Sequence, residues 1–276
     1  MSVSGGADEE FEPLAGRRVL LRAMFLKELL LMLRYRVDFA IRLVGMYLFF
    51  AVIFFGGHAA ATQVDGGPGA LADTFDGIIV GWFLWTMAQT AYTTLHQDVT
   101  SESRWGTLEH LYMSPYGFGT VMSLKAVVNV LLAFLWGFVM LVLMMLTAQR
   151  WFTVDLVTIV PIATFAVMSV LGLGFAIAGL ALVYKKVGSI NGLMQFVLVG
   201  LIAAPVAGIS WFSFLPLVQG SAMLQDAMRG GTALWEFPPA ELGLLVGAGV
   251  GYFAIGYLIF SYCERVARSR GVMGHY

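Results

Sequence analysis

The groups in this chain that could do covalent or metal chemistry are few and scattered. Its four histidines, His58, His96, His110 and His275, lack metal-binding spacing, and H-E-x-x-H does not occur. His96 stands beside Gln97 and Asp98, but at the end of an apolar run that trio reads as a solvated polar cap rather than a ligand set. Asp73 and Asp76 have the spacing of a Mg²⁺-diphosphate pair. Just before an apolar run they are better explained as favourable charge at a helix N-terminus. No histidine lies at mid-depth of an apolar run to activate a serine, and G-x-x-x-x-G-K-[ST] is absent, so the chain has no ATP site of its own. The single Cys263 excludes an intrachain disulfide and reads as a small apolar filler near a helix end.

The remaining candidate chemistry is docking. Residues 100–115 read T-S-E-S-R-W-G-T-L-E-H-L-Y-M-S-P, a polar island between two long apolar runs. Trp105, Leu108, Leu111 and Tyr112 alternate with charges at helical spacing, which predicts a short amphipathic helix. Glu102 and Glu109 lie near its two ends, and Gly106 and Pro115 punctuate it. In so apolar a chain, such a segment belongs in water against a soluble partner. A self-capped surface helix is the plainer alternative.

The elements that must position this island follow from composition. Apolar residues make up 59% of 276 positions and charged residues 12%, half the share of a soluble domain, with mean hydropathy +0.82. The excess falls in blocks long enough to cross a bilayer, so the fold class is all-α integral membrane. A net charge of −1 gives no sign of a nucleic-acid partner.

Residues 1–16 are polar and Gly-containing, which predicts a disordered tail, and no cleavable signal sequence is visible. Residues 17–35 carry Arg18, Arg22, Lys27, Glu28 and Arg34 among apolar clusters. This predicts a helix lying in the headgroup layer, the alternative being the polar-flanked start of the first span. Six spans are expected, at about 37–55, 77–95, 121–146, 156–184, 187–208 and 242–262. A Gly/Asp-rich loop at 63–76 precedes the second span. Residues 209–241 have apolar stretches too short to span and read as re-entrant or interfacial helices. Residues 36–264 form a single six-span domain, and a basic tail at 265–276 follows.

Six spans put both termini on one side. That side collects Arg17, Arg18, Arg22, Lys27, Arg34, Arg36 and Arg42, then Arg104, Lys125, Lys185, Lys186, Arg265, Arg268 and Arg270. Only Arg150 and Arg229 fall on the other. The positive-inside rule therefore predicts cytoplasmic termini and a cytoplasmic island. Within the spans the polar content is Gln89, Thr90, Asn129, Thr164, Asn191 and Gln195, with almost no charge. That argues against a proton- or sodium-coupled carrier. It leaves packing, or a pathway wall suited to an amphipathic or lipid-linked substrate.

The island also carries a resemblance. E-S-R-W-G-T-L-E-H-L-Y-M-S-P at 102–115 is similar to the E-x-x-x-G-T-L-E-x-L-x-x-[ST]-P signature between the second and third spans of the ABC-2 (type V exporter) permease family, the transmembrane subunits of ABC transporters. The interfacial helix, six spans and broken helices before the last span extend the resemblance over nearly the whole chain. Asn191 and the run G-L-I-A-A-P-V-A-G at 200–208 form a looser match, in which the proline expected after the fifth span is displaced to Pro205 and Pro216.

The resemblance implies a permease dimer, either a homodimer or a heterodimer with a related permease, joined to two copies of a separate ATPase subunit that binds ATP and Mg. It implies that Glu102, Arg104, Gly106, Thr107, Leu108, Glu109, Leu111, Ser114 and Pro115 form the ATPase-coupling segment. It also makes the helix bearing Arg18, Arg22, Lys27, Glu28 and Arg34 a gate element. The expected reading is an exporter permease in the cell membrane of a prokaryote, with membrane lipid around it, no cofactor on this chain and no enzyme activity of its own. The alternatives are a membrane-embedded lipid-modifying enzyme, disfavoured by the missing intramembrane carboxylate or histidine cluster, and an ion channel, disfavoured because no polar stripe repeats along one span.

Overall fold

The computed structural model describes residues 16–61, 68–104, 118–183, 189–204 and 211–269. Among them every regular element is helical. In chain order these are α1 (Arg17–Arg34), α2 (Arg36–Ala61), α3 (Pro68–Arg104), α4 (Phe118–Ala148), α5 (Leu156–Val183), α6 (Ser189–Ile202), α7 (Val218–Gly230) and α8 (Pro239–Ser269). Short 3-10 turns at Trp211–Phe214 and Leu234–Glu236 flank α7. The expected tail at 1–15 lies outside the described residues, as do 62–67 and most of the polar island.

Among the described residues four helical segments are long and apolar enough to cross a membrane: Arg36–Gly56, Gly119–Ala148, Leu156–Val183 and Pro239–Ala267. This makes the chain an all-α membrane protein. The helices holding the expected second and fifth spans do not reach that mark. The central part of α3 is diluted by Thr86, Gln89, Thr90, Thr93 and Thr94, while α6 has 14 residues and at about 1.5 Å per residue is short of a 30 Å hydrocarbon core.

The polarity of α3 follows from its place. It packs against α4 and α5 on its main faces, with α2, α6 and α7 on the remainder. Ile79, Phe83, Leu84, Met87, Ala88, Ala91 and Tyr92 are fully buried. A helix sheathed by other helices need not be apolar towards lipid. The hydroxyls of Thr86, Thr93 and Thr94 donate to the carbonyls of Trp82, Gln89 and Thr90 at 2.9, 2.7 and 2.8 Å, which satisfies them within their own helix. At 37 residues α3 is about 55 Å long, well in excess of a roughly 30 Å hydrocarbon core. Its start at Pro68 corrects the reading of Asp73 and Asp76 as helix-start charges, because both lie beyond the first turn.

Among the described residues α5 and α8 share the most extensive helix–helix contact. A Cβ at Gly256 would land on the Gly172 carbonyl, one at Gly172 on the Tyr252 carbonyl, and one at Gly179 within 2.8 Å of Phe260 Cα. These contacts are backbone against backbone, the close approach that drives helix association where lipid removes the hydrophobic incentive. Asp155 caps α5, accepting from Val157 N–H at 3.1 Å and from the Thr158 hydroxyl at 2.6 Å. The Thr158 oxygen in turn accepts from Leu234 N–H at 3.0 Å, pinning the turn ahead of α8.

Residues 211–241 contain the short helices expected there. Helix α7 buries Val218, Met223, Leu224 and Met228 against the bundle. Its entry residue Leu217 has φ 72°, a left-handed conformation unusual for leucine. It is held by donating its N–H to Ser169 Oγ at 3.0 Å. The Ser221 hydroxyl donates to the Ile202 carbonyl at 3.0 Å, tying α7 to the end of α6.

Candidate functional site

Two regions concentrate polarity or open space. The first lies where α1 crosses the end of α3 and the start of α4. Met24, Lys27 and Glu28 of α1 recur at helical spacing and face Thr94 and Asp98 of α3 and Lys125 and Asn129 of α4, around a void of about 30 Å³. Lys125 Nζ lies 3.5 Å from Asp98 Oδ2, with side-chain exposures of 17% and 32%. Lys27 and Glu28 pair at 3.8 Å on the exposed rim, where an ion pair contributes little.

Burial pushes the Asp98 carboxyl above its ordinary value of 3.8; Lys125 opposes the shift, Glu28 adds to it and Lys27 counters it. Desolvation therefore outweighs the ion pair. The sequence reading of residues 96–98 as a solvated cap is corrected for Asp98, which is mostly enclosed. Asn129 Nδ2 beside it, and Gln89 Oε1, Thr90 Oγ1 and Tyr92 OH further along α3, are buried without a hydrogen-bond partner among the described residues. Each such atom costs about 1–3 kcal/mol, so this zone trades stability for polarity.

A raised aspartate pKa means that folding favours the neutral acid. Stability from this group is full below the unfolded value and falls as pH rises through the folded one. Asp98→Asn, which mimics the neutral acid, is expected to match or exceed the parent's unfolding temperature at pH 7 and to remove the decline that begins above pH 3.8. Lys125→Met takes away the opposing charge and is expected to carry that decline to higher pH. Thermal unfolding in detergent between pH 4 and 8 reads both; an Asp98→Asn protein markedly less stable at pH 7 contradicts the assignment.

Of the predicted gate residues, Lys27 and Glu28 join this cluster, whereas Arg18, Arg22 and Arg34 are exposed elsewhere on α1. The same helix exposes Val19, Leu26, Leu30 and Leu33, giving it an apolar outer surface with cations interspersed. Helix α1 meets α2 at Tyr35, a single-residue break whose N–H still donates to the Leu31 carbonyl at 2.9 Å. Arg42, counted with the basic leader in the sequence, sits within α2 with its guanidinium 4.8 Å from the Trp136 ring centroid. That pairing gives an otherwise costly cation an aromatic partner.

Of the predicted coupling residues, Glu102 and Arg104 lie on the final turn of α3. Thr100 to Arg104 therefore continue the α3 helix instead of starting a separate one. Gly106, Thr107, Leu108, Glu109, Leu111, Ser114 and Pro115 fall outside the described residues, as do the side chains of Glu102 and Arg104.

The second region is a cleft of about 270 Å³ between α2, α3, α6 and α7. Trp82 and Trp85 form its wall, their ring centroids 4.6 Å apart, with Phe49 5.1 and 5.8 Å from them. Ile53, Val199 and Ile202 complete the apolar lining, and Gln225 supplies an amide. Sequence reasoning missed this cleft; the G-x-x-x-G at Gly77 and Gly81, just ahead of Trp82 and Trp85, was the available signal.

Among the described residues no group of three or more His, Cys, Asp or Glu side chains could hold a metal ion. Searches of protein-family models, curated proteins and solved structures gave no match to this chain.

Proposed function

We propose that this chain is the permease subunit of an ATP-binding cassette exporter of the ABC-2 type, forming the translocation pathway and driven by a separate ATPase. The observation that carries the reading is the E-x-x-x-G-T-L-E-x-L-x-x-[ST]-P pattern at 102–115, which begins on the last turn of α3. In this reading α3, sheathed by its neighbours, and α6, with an exposed apolar face, serve as the second and fifth spans, and 209–241 is re-entrant. Both termini and the coupling segment face the cytoplasm of a prokaryotic cell. Two permeases, identical or related, meet two ATPase subunits that bind ATP and Mg.

The continuity of α3 supplies a mechanism. Because 102–104 are the last turn of α3, ATPase closure acting there would be passed on as a tilt or rotation of that buried helix. Helix α1, which packs on α4 and α2 and brings Lys27 and Glu28 to the void shared with Asp98 and Lys125, is expected to move with it.

The purified chain alone is expected to hydrolyse no ATP and to co-purify with its ATPase when the two are expressed together. Hydrolysis by the chain alone contradicts the reading. Single cysteines in a background with Cys263 replaced test the topology separately. Positions 100–115 should label from the inside and 63–72 from the outside, and the reverse pattern ends the proposed orientation.

A further inference from the structure

We propose that the Trp82–Trp85 cleft is a binding slot for one acyl chain of a bilayer phospholipid, with the lipid's polar end at Gln225 and Arg229. This goes beyond the exporter reading and does not depend on it.

The shape of the slot follows from glycine. At Gly81 a Cβ would come within 3.1 Å of Ile202, and at Gly77 within 3.6 Å of Gln225 Oε1 and 3.9 Å of Arg229 Nη1. The missing side chains let Ile202 and Gln225 approach α3, and the cleft runs beside the helix from Gly77 to Trp85. Eight residues at 1.5 Å each make it about 12 Å long, close to the depth of one leaflet of a roughly 30 Å core.

Polarity is graded along that length. The Trp85 end is lined by aromatic and aliphatic side chains. The Gly77 end meets the Gln225 amide and the Arg229 guanidinium, while Asp76 and Arg150 pair at 4.0 Å beside it. A phospholipid has the same gradient, with hydrogen-bonding esters and a phosphate at one end and hydrocarbon below. The slot is also accessible from the side: α2 and α6 both pack on α3, but no substantial packing joins α2 to α6 among the described residues. The outward faces flanking the opening, with Val52 at 68% exposure and Phe196 at 72%, are apolar, as a surface in contact with lipid requires.

The test uses the full chain in vesicles of phosphatidylcholine and phosphatidylglycerol doped with a phosphatidylglycerol carrying a mid-chain diazirine. After photolysis, mass spectrometry of peptides is expected to find adducts on 77–85 and 199–203 well above those on the exposed α4 face around Leu135 and Val142. Gly81→Leu fills the slot and Ala203→Trp blocks it from an exposed position. Each should cut the slot adducts about tenfold while leaving the α4 adducts unchanged. Ala203→Trp with a parental unfolding temperature keeps the result interpretable if Gly81→Leu fails to fold. Equal labelling of slot and α4, insensitive to both variants, means annular lipid only and overturns the proposal. Absent slot adducts, together with a disulfide between Ile53→Cys in one copy and Val199→Cys in another, mean that a second copy fills the slot, and overturn it too. Strong slot labelling in a chain that binds no ATPase would leave the slot standing and remove the exporter reading.

Discussion

Valine in place of Gly256 is expected to abolish recovery of a folded, monodisperse protein, and valine in place of Gly172 to do the same. At both sites the added Cβ alone would occupy the position of a backbone carbonyl on the facing helix. Overpacking a core against side chains costs about 1–3 kcal/mol, because rotamers can shift. A backbone carbonyl cannot shift without moving its helix, so α5 and α8 must part along their length. In lipid, close packing is the main term holding two apolar helices together, and a fold stable by only about 5–15 kcal/mol does not survive its loss. Gly243 and Gly247 on the same helix have nothing within 4 Å of an added Cβ. Alanine at either is expected to be tolerated and to gain up to about 1 kcal/mol from helix propensity. Fluorescence-detected gel filtration and thermal unfolding read the contrast, and a Gly256→Val protein with the parental elution profile refutes the seam's role.

Reversing both glutamates of the proposed coupling segment and placing a charge at its centre, in the triple variant Glu102→Lys, Glu109→Lys, Leu108→Asp, is expected to lower association with the ATPase by about 100-fold or more. Central apolar anchors at interfaces cost about 2 kcal/mol or more when lost, and burying an aspartate in their place costs more still. The reversed glutamates act at the rim, chiefly on the association rate and its salt dependence. Pull-down from detergent with the co-expressed ATPase measures the effect, and an unchanged unfolding temperature shows that the permease itself is intact. Association at parental strength removes the coupling role from 102–115.

The apolar runs expected at 37–55, 121–146, 156–184 and 242–262 coincide with the candidate crossings Arg36–Gly56, Gly119–Ala148, Leu156–Val183 and Pro239–Ala267. Continuous hydrophobicity over such lengths is a strong local signal, and these helices carry it. The start of α3 was hidden because Pro68, Gly69 and the aspartates at 73 and 76 have the composition of a loop, which its packing against α4 and α5 overrides. The Asp98–Lys125 pair was hidden for a different reason. Nothing local to either residue announces the other, since only the crossing of α3 with α4 brings them within 3.5 Å. Lys27 and Glu28 were legible as members of a basic helix, but not as its contact face. Gly172 and Gly256 each read alone as a minor defect in a helix, and their meaning exists only in the pair.

That pairing also bears on how the chain is made. Helix α5 is complete at Val183, while α8 begins at Pro239. At a synthesis rate of about 5–20 residues per second, the intervening stretch takes roughly 3–11 s to emerge. For that interval the glycine face of α5 is inserted without its mate. The face that permits the tightest contact in the finished molecule is, during biogenesis, the one most open to an incorrect neighbour.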